Sequence, residues 1–288
     1  MKIESCLTFM FVFLIWNTMA AQDLIPFERS GLWGYREIDG KEIIKPQYLY
    51  AGEFFELAAI VGNGNHFGVI NKENKVIIPF KYDYIKRLDR ERFLIGHRAE
   101  YFGEYDFGVI SNENQIIIKP EFAYISTEKG FYKVTQKEDS ILGKNEIGDL
   151  RSITTKYGLF DHNGNEVIPC IYDYLSWSED SLLILSKGDN QALFHLNGKQ
   201  LTDFKYMVID NYHEGLSKVR EGAKFGYINK EGEVIIPIQF DMCYPFSDGF
   251  AIIRIGEHWG AIDKKGLQVI PAKFSLQEVK DKLKREAP

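Results

Sequence analysis

The chain has 288 residues, 45% of them apolar and 14% aromatic, with 16 Tyr and 21 Phe. That is enough apolar material for a sizeable core, which excludes intrinsic disorder, and the aromatic bias favours strands over helices. The net charge of −6, with its signs interspersed, leaves no basic stripe for a nucleic-acid backbone.

The first residues follow their own rule. Lys2 gives a positive start, Cys6 to Trp16 form an apolar run, and Ala20-Ala21 precede the polar Gln22-Asp23. This is the order of a secretory signal peptide over residues 1–21, with cleavage after Ala20 or Ala21. The run is shorter than the ~20 residues of a membrane span, so no transmembrane span is expected in the mature chain. Export implies the periplasm, the cell envelope or the extracellular space. It also leaves two cysteines, Cys170 and Cys243, 73 residues apart. They read as two free, half-buried thiols, although an oxidising compartment would permit them to pair.

From residue 22 to 275 one pattern recurs. Aromatic-Gly pairs stand at Trp33-Gly34, Phe67-Gly68, Phe107-Gly108, Tyr157-Gly158, Phe225-Gly226 and Trp259-Gly260, with a degenerate copy at Gln191-Ala192. The intervals between the Gly or Ala positions are 34, 40, 50, 34, 34 and 34. Six residues after each marker comes Gly40, Asn74, Asn114, Gly164, Gly198, Gly232 or Gly266. Gly and Asn are the residues that best tolerate positive φ, so a tight hairpin turn is expected there. Eleven or twelve residues after the marker every copy but the degenerate one has a Pro, which predicts the end of ladder pairing. Fourteen residues after it all seven copies carry an aromatic, from Tyr48 to Phe274. Apolar runs such as Leu182-Leu183-Ile184-Leu185 and Phe250-Ala251-Ile252-Ile253 precede the marker, and segments of the Tyr82-Asp83-Tyr84-Ile85 type suggest one more edge strand. Each unit therefore reads as three or four short antiparallel strands. A unit so small cannot bury its own apolar face, and neighbours must stack to make the core.

Trp259-Gly260-Ala261-Ile262-Asp263-Lys264-Lys265-Gly266 and Val269-Ile270-Pro271 resemble the unit of the WG-repeat family of bacterial proteins. That unit joins an aromatic-Gly pair, a turn ending in Gly and a Val-Ile-Pro run. The resemblance covers roughly residues 30–275 and implies a β-rich repeat scaffold, with no shared catalytic residues to carry over.

The fold is therefore expected to be all-β, seven tandem ~34-residue β-hairpin repeats arranged as a propeller-like ring, with an open β-solenoid as the alternative. The first copy lacks its own leading strand. Residues 276–288 read as a charged tail or a short helix.

Two intervals exceed 34 residues, and both additions fall just before an aromatic-Gly pair, around Ala99–Asp106 and Lys137–Lys156. Insertions at one place in a repeat project from one face, often the binding face. Tyr101, Phe102 and Tyr105 in the first are the candidate binding residues.

The chemistry of catalysis is not legible. There is no phosphate-binding Gly-rich loop, nucleophile elbow or His-Glu-x-x-His pair, and the six histidines fall in different units. Asp161-His162-Asn163-Gly164-Asn165-Glu166 has oxygen ligands at alternate positions, as a calcium loop would, but the repeat register makes it a hairpin turn. No catalytic residue, cofactor or metal ligand is assigned. The chain reads as an exported, non-enzymatic scaffold for an unknown protein or cell-surface component. A glycan-binding module is the alternative and a hydrolase with a ring-centre site the third reading.

Overall fold

The computed structural model describes residues 24–99, 104–145, 148–179 and 181–286, leaving out the side chains of residues 140–151 and Glu286. The signal-peptide reading of residues 1–21 lies outside the described residues, as do Tyr101 and Phe102. The described chain is almost entirely strand, laid out as seven antiparallel sheets whose strands pair in chain order.

Sheet one holds β1 (Ile25–Arg29), β2 (Leu32–Arg36) and β3 (Glu42–Tyr48). Sheet two runs β4 (Tyr50–Ala51), β5 (Ala58–Gly62), β6 (Phe67–Asn71) and β7 (Val76–Tyr82). Sheet three runs β8 (Tyr84–Arg87), β9 (Arg92–Arg98), β10 (Tyr105–Ser111) and β11 (Ile116–Phe122). Sheet four holds β12 (Tyr124–Glu128), the long β13 (Phe131–Asn145) and β14 (Gly148–Phe160), and β15 (Glu166–Tyr172). Sheet five is β16 (Tyr174–Trp177), β17 (Leu182–Lys187) and β18 (Asn190–His195). Sheet six is β19 (Val208–His213), β20 (Leu216–Glu221), β21 (Lys224–Ile228) and β22 (Val234–Phe240). Sheet seven is β23 (Met242–Cys243), β24 (Phe250–Ile255), β25 (His258–Asp263) and β26 (Gln268–Phe274), followed by helix α1 (Leu276–Glu286). The chain forms two compact units, one running to Phe93 together with Asn112–Asn114, the other holding the rest.

The repeat register is kept at every copy. The marker aromatic faces the closing aromatic across the last two strands in six copies, from Trp33↔Tyr48 to Trp259↔Phe274. In the degenerate copy Gln191↔Tyr206 holds the same place. The residue six positions after each marker has positive φ in all seven copies, from +62° at Asn74 and Asn114 to +96° at Gly40. An Asp or Asn three residues before it fixes most of these turns by accepting two backbone N–H groups. Asp161 Oδ1 accepts from Asn163 and Asn165, and Asp263 Oδ1 from Lys265 and Leu267. Asp161 is thereby spent on a turn, as the register requires.

Within each unit the core lies between successive sheets. In the first unit Tyr35, Ile44 and Tyr48 of sheet one pack on Ala59, Val61 and Ile70 of sheet two. In the second unit Tyr227, Ile236 and Phe240 of sheet six pack on Ala251, Ile253 and Ile262 of sheet seven. A middle strand such as β17 is buried on both faces, which is why Leu182-Leu183-Ile184-Leu185 is unbroken rather than alternating. A recurrent tyrosine locks the seam. The Tyr227 hydroxyl donates to the Tyr244 carbonyl at 2.7 Å, and its ring meets Phe246 edge-on with centroids 4.8 Å apart. Tyr35 repeats this on Gly52, at 2.7 Å, and on Phe54, at 4.7 Å.

Three expectations are corrected. The repeat Pro does not end its strand: Pro237 lies inside β22, where Tyr227 faces Ile236 and Phe225 faces Phe240. Two residues of β21 thus oppose four of β22, and the resulting bulge removes the need for the missing N–H. The first copy does have a leading strand, β1, joined to β2 through Ser30 and Gly31, both at positive φ. Its Pro26 and its shortness hide it from the pattern. Of the thiols, Cys170 is half-buried and Cys243 fully buried; both are free.

Candidate interaction face at the two insertions

In the regular sheets the second and third strands are joined by a tight turn, closed by pairs such as Lys187↔Asn190 and Ile255↔His258. The Asp after the closing aromatic organises that turn. Asp241 accepts from the Gly256 N–H at 2.6 Å and from Lys224 Nζ at 2.6 Å. Asp173 does the same with the Gly188 N–H at 2.7 Å and Lys156 Nζ at 2.6 Å. His66 and Asp83 occupy the equivalent pair in sheet two, at 3.4 Å. The sequence reading passed over this device, although Tyr82-Asp83, Tyr172-Asp173 and Phe240-Asp241 carry its signal.

Both insertions replace this turn. The first joins β9 to β10. The second is not a loop: β13 and β14 run on as a hairpin for eight further residue pairs, Lys137↔Thr155 to Asn145↔Gly148. At ~3.3 Å per residue this arm is on the order of 25 Å long. Apart from the irregularity between Ile141 and Gly143, the described residues between Lys137 and Thr155 pair with one another, a consequence that length alone does not announce. The two insertions meet at the foot of the arm, where Lys137 Nζ pairs with Glu104 Oε1 at 2.5 Å.

The foot is anchored to the array by Lys156, which binds Asp173 at 2.6 Å and Glu138 at 3.6 Å. The hydrogen bond to Asp173 holds the ammonium above its ordinary pKa, and Lys156 and then the Gly188 N–H hold the Asp173 carboxyl below the usual carboxylate range. Beside them lies a hollow of about 530 Å³ whose walls include Gln136, Lys137, Glu138, Lys156 and Cys170. The Cys170 thiol donates to the Lys156 carbonyl at 3.3 Å, and burial pushes its pKa up to about 11. It is therefore a protonated packing group at neutral pH.

Of the three candidate binding residues only Tyr105 is described. It is half-buried on β10, with its ring 5.7 Å from that of Phe107. It lies against the repeat rather than free of it, one residue from Glu104, whose carboxylate ties the two insertions. Among the described residues no three His, Cys, Asp or Glu side chains come together as metal ligands, and no helix is long and apolar enough to cross a membrane.

Comparison with known proteins rests on the repeat. The family model described as WG containing repeat matches residues 67–92, 107–138, 157–190 and 225–257. No curated protein matches the chain. Among solved structures it is similar to a crystal structure of a eukaryotic initiation factor, at 10% identity over 86% of this chain and 73% of that one, with a TM-score of 0.34. It is also similar to a Bacteroides caccae protein of unknown function, at 13% identity over 74% and 92% and a TM-score of 0.23. A third is Kluyveromyces lactis Hsv2, at 9% identity over 84% and 90% and a TM-score of 0.26. At these identities and TM-scores none of the three carries an argument about this chain. The four matched copies are WG repeats, and the other three are built to the same register.

Proposed function

We propose that this chain is an exported, non-enzymatic scaffold that holds another protein or a cell-surface component against the face carrying its two insertions. The observation that carries the reading is their convergence. Two additions, 50 residues apart in register, replace the same turn in sheets three and four and are tied together by Glu104 and Lys137. The sheets supply a rigid platform and the β13–β14 arm supplies reach. The polar groups at the foot are engaged in positioning: Asp173 and Lys156 hold each other, and Cys170 keeps its proton. Tyr101, Phe102 and Tyr105 are the proposed contact residues.

A glycan-binding module is the second reading, and one observation favours it. Tyr124 and Tyr174, two residues past the closing aromatics of sheets three and four, are 59% and 51% exposed on edge strands β12 and β16. Such rings offer flat faces to a sugar.

The test is capture from envelope and culture-supernatant fractions. The mature chain is compared with a version in which residues 99–106 and 137–156 are cut back to the turn length of sheets five to seven. A protein partner recovered by the full chain and lost on trimming supports the insertion face. The same partner recovered by both versions, or by neither, overturns it. Retention on a polysaccharide column that Y124A/Y174A abolishes establishes the glycan reading instead.

A further inference from the structure

Helix α1 ends the array by covering part of sheet seven. Its start is fixed by a capping box: the Ser275 N–H donates to Glu278 Oε2 at 2.8 Å, and the Glu278 N–H returns to Ser275 Oγ at 3.4 Å. Val279 is fully buried against Ala261 and Ile270, with Leu283 leaning on the same cluster. Lys282 lies over the Phe274 ring at 4.6 Å, and Gln277 donates to Asp281 at 2.9 Å. One side of the helix is thus committed to the sheet.

The other side borders a cavity of about 670 Å³. This is the size of pocket that encloses most of a drug-sized molecule. Its interior is apolar, built from Tyr244, Phe246, Phe250, Ile252 and Leu283. Its mouth is cationic, because α1 places Lys280 and Lys284 on the same side one turn apart. Like charges at that spacing repel, and neither lysine meets a carboxylate among the described residues. His213 lies at the same mouth. The one acid in the lining, Asp248, accepts from Ser247 Oγ at 3.1 Å. Nearby Glu214 is taken up by Lys264 at 2.8 Å and by the Gly249 N–H. An apolar chamber whose rim carries two ammonium groups against the single carboxylate of Asp248 is net positive, and so complementary to one class of ligand.

We propose that this cavity is a small-molecule site for an amphipathic anion, the apolar body seated on Phe246, Phe250, Ile252 and Leu283 and the carboxylate head held between Lys280 and Lys284. The site lies apart from the insertion face and does not depend on the scaffold reading.

The test is calorimetry on the whole mature chain with decanoate, decanol and decyltrimethylammonium below their aggregation concentrations. Decanoate is expected to bind at one site, about five- to tenfold tighter than decanol, with the cation weakest, since exposed ion pairs each contribute modestly. K280Q/K284Q changes only exposed side chains and should melt with the parent while losing the preference for decanoate over decanol. K75Q/K119Q, exposed lysines elsewhere, should bind like the parent. Absence of saturable binding, equal affinity for the three probes, or equal weakening by both double variants would each overturn the assignment.

Discussion

Sheets five and six are neighbours built to one register, and only one of them obeys the full pattern. In sheet six the bulge around Pro237 carries β22 over Gly226, where a Cβ would lie 2.7 Å from the Ile236 carbonyl oxygen and 2.9 Å from the Ile238 Cα. No side chain fits there without moving backbone. Sheet five has neither the Pro nor the fourth strand; two isolated bridges, Gln191↔Tyr206 and Phe194↔Gln200, stand in for it. In that copy the marker position is Ala192, fully buried without strain on a bulge. The Gly of the aromatic-Gly pair and the Pro eleven or twelve residues on are therefore one device, and the copy that loses one loses both. Sheet five repairs the gap with side chains. Thr202 Oγ1 accepts the Leu193 N–H at 2.9 Å, and Gln191 Oε1 accepts the Ile209 N–H at 2.7 Å.

The largest expected effect breaks the bulge in sheet six. Gly226→Val should cost about 3 kcal/mol, as overpacking against fixed backbone does, and lower Tm by roughly 10 °C. Tyr105→Ala, at the insertion face, should melt close to the parent. Equal melting temperatures for the two would remove the close-approach account of the marker Gly.

Next comes the repair in sheet five. Thr202→Val keeps the shape but leaves the Leu193 N–H without its acceptor, a loss of about 2 kcal/mol for a buried donor. Urea unfolding measures it, and an unchanged midpoint would mean that Thr202 is not replacing the missing strand. A milder change is Ala192→Gly, which restores the family residue where no bulge needs it. It should destabilise by about 1 kcal/mol, from the lost methyl burial and the added backbone freedom. A gain in stability would show that sheet five still wants the Gly.

The smallest effect separates the sheets by pH. Asp173 and Asp241 hold their turns, whereas Met207 occupies that place after Tyr206. Both carboxyls lie below their ordinary range because of Lys156 and Lys224 first, then a turn N–H. A depressed folded pKa gives stability that is present above the unfolded value and lost as pH falls through the folded one. The Tm gap between parent and Asp241→Ala should therefore hold steady above about pH 5 and close below about pH 4. A gap that does not narrow at all as the pH falls below about 4 would show that the side chain acts through packing.

Much of this was legible because it is local. A position that demands positive φ admits few residue types, so the seven Gly and Asn positions announce their turns in any context. The marker and closing aromatics, fifteen residues apart in six copies, announce the pairing between them. Helix α1 was also signalled, by Ser275-x-x-Glu278, beneath a stretch that otherwise reads only as charged.

What the tertiary structure alone decided are the relations that cross from one sheet to the next. That Asp173 would hold both Lys156 and the next sheet's Gly188 N–H depends on where the sheets lie, not on the residues between them. The same is true of the extra length before Tyr157, which became a paired arm, and of Glu104 and Lys137, 33 positions apart, which meet at its foot. Gly226 belongs to both accounts. Its place in the repeat is visible in the chain, but its necessity comes from a carbonyl ten residues on, brought close only when β22 bulges over it.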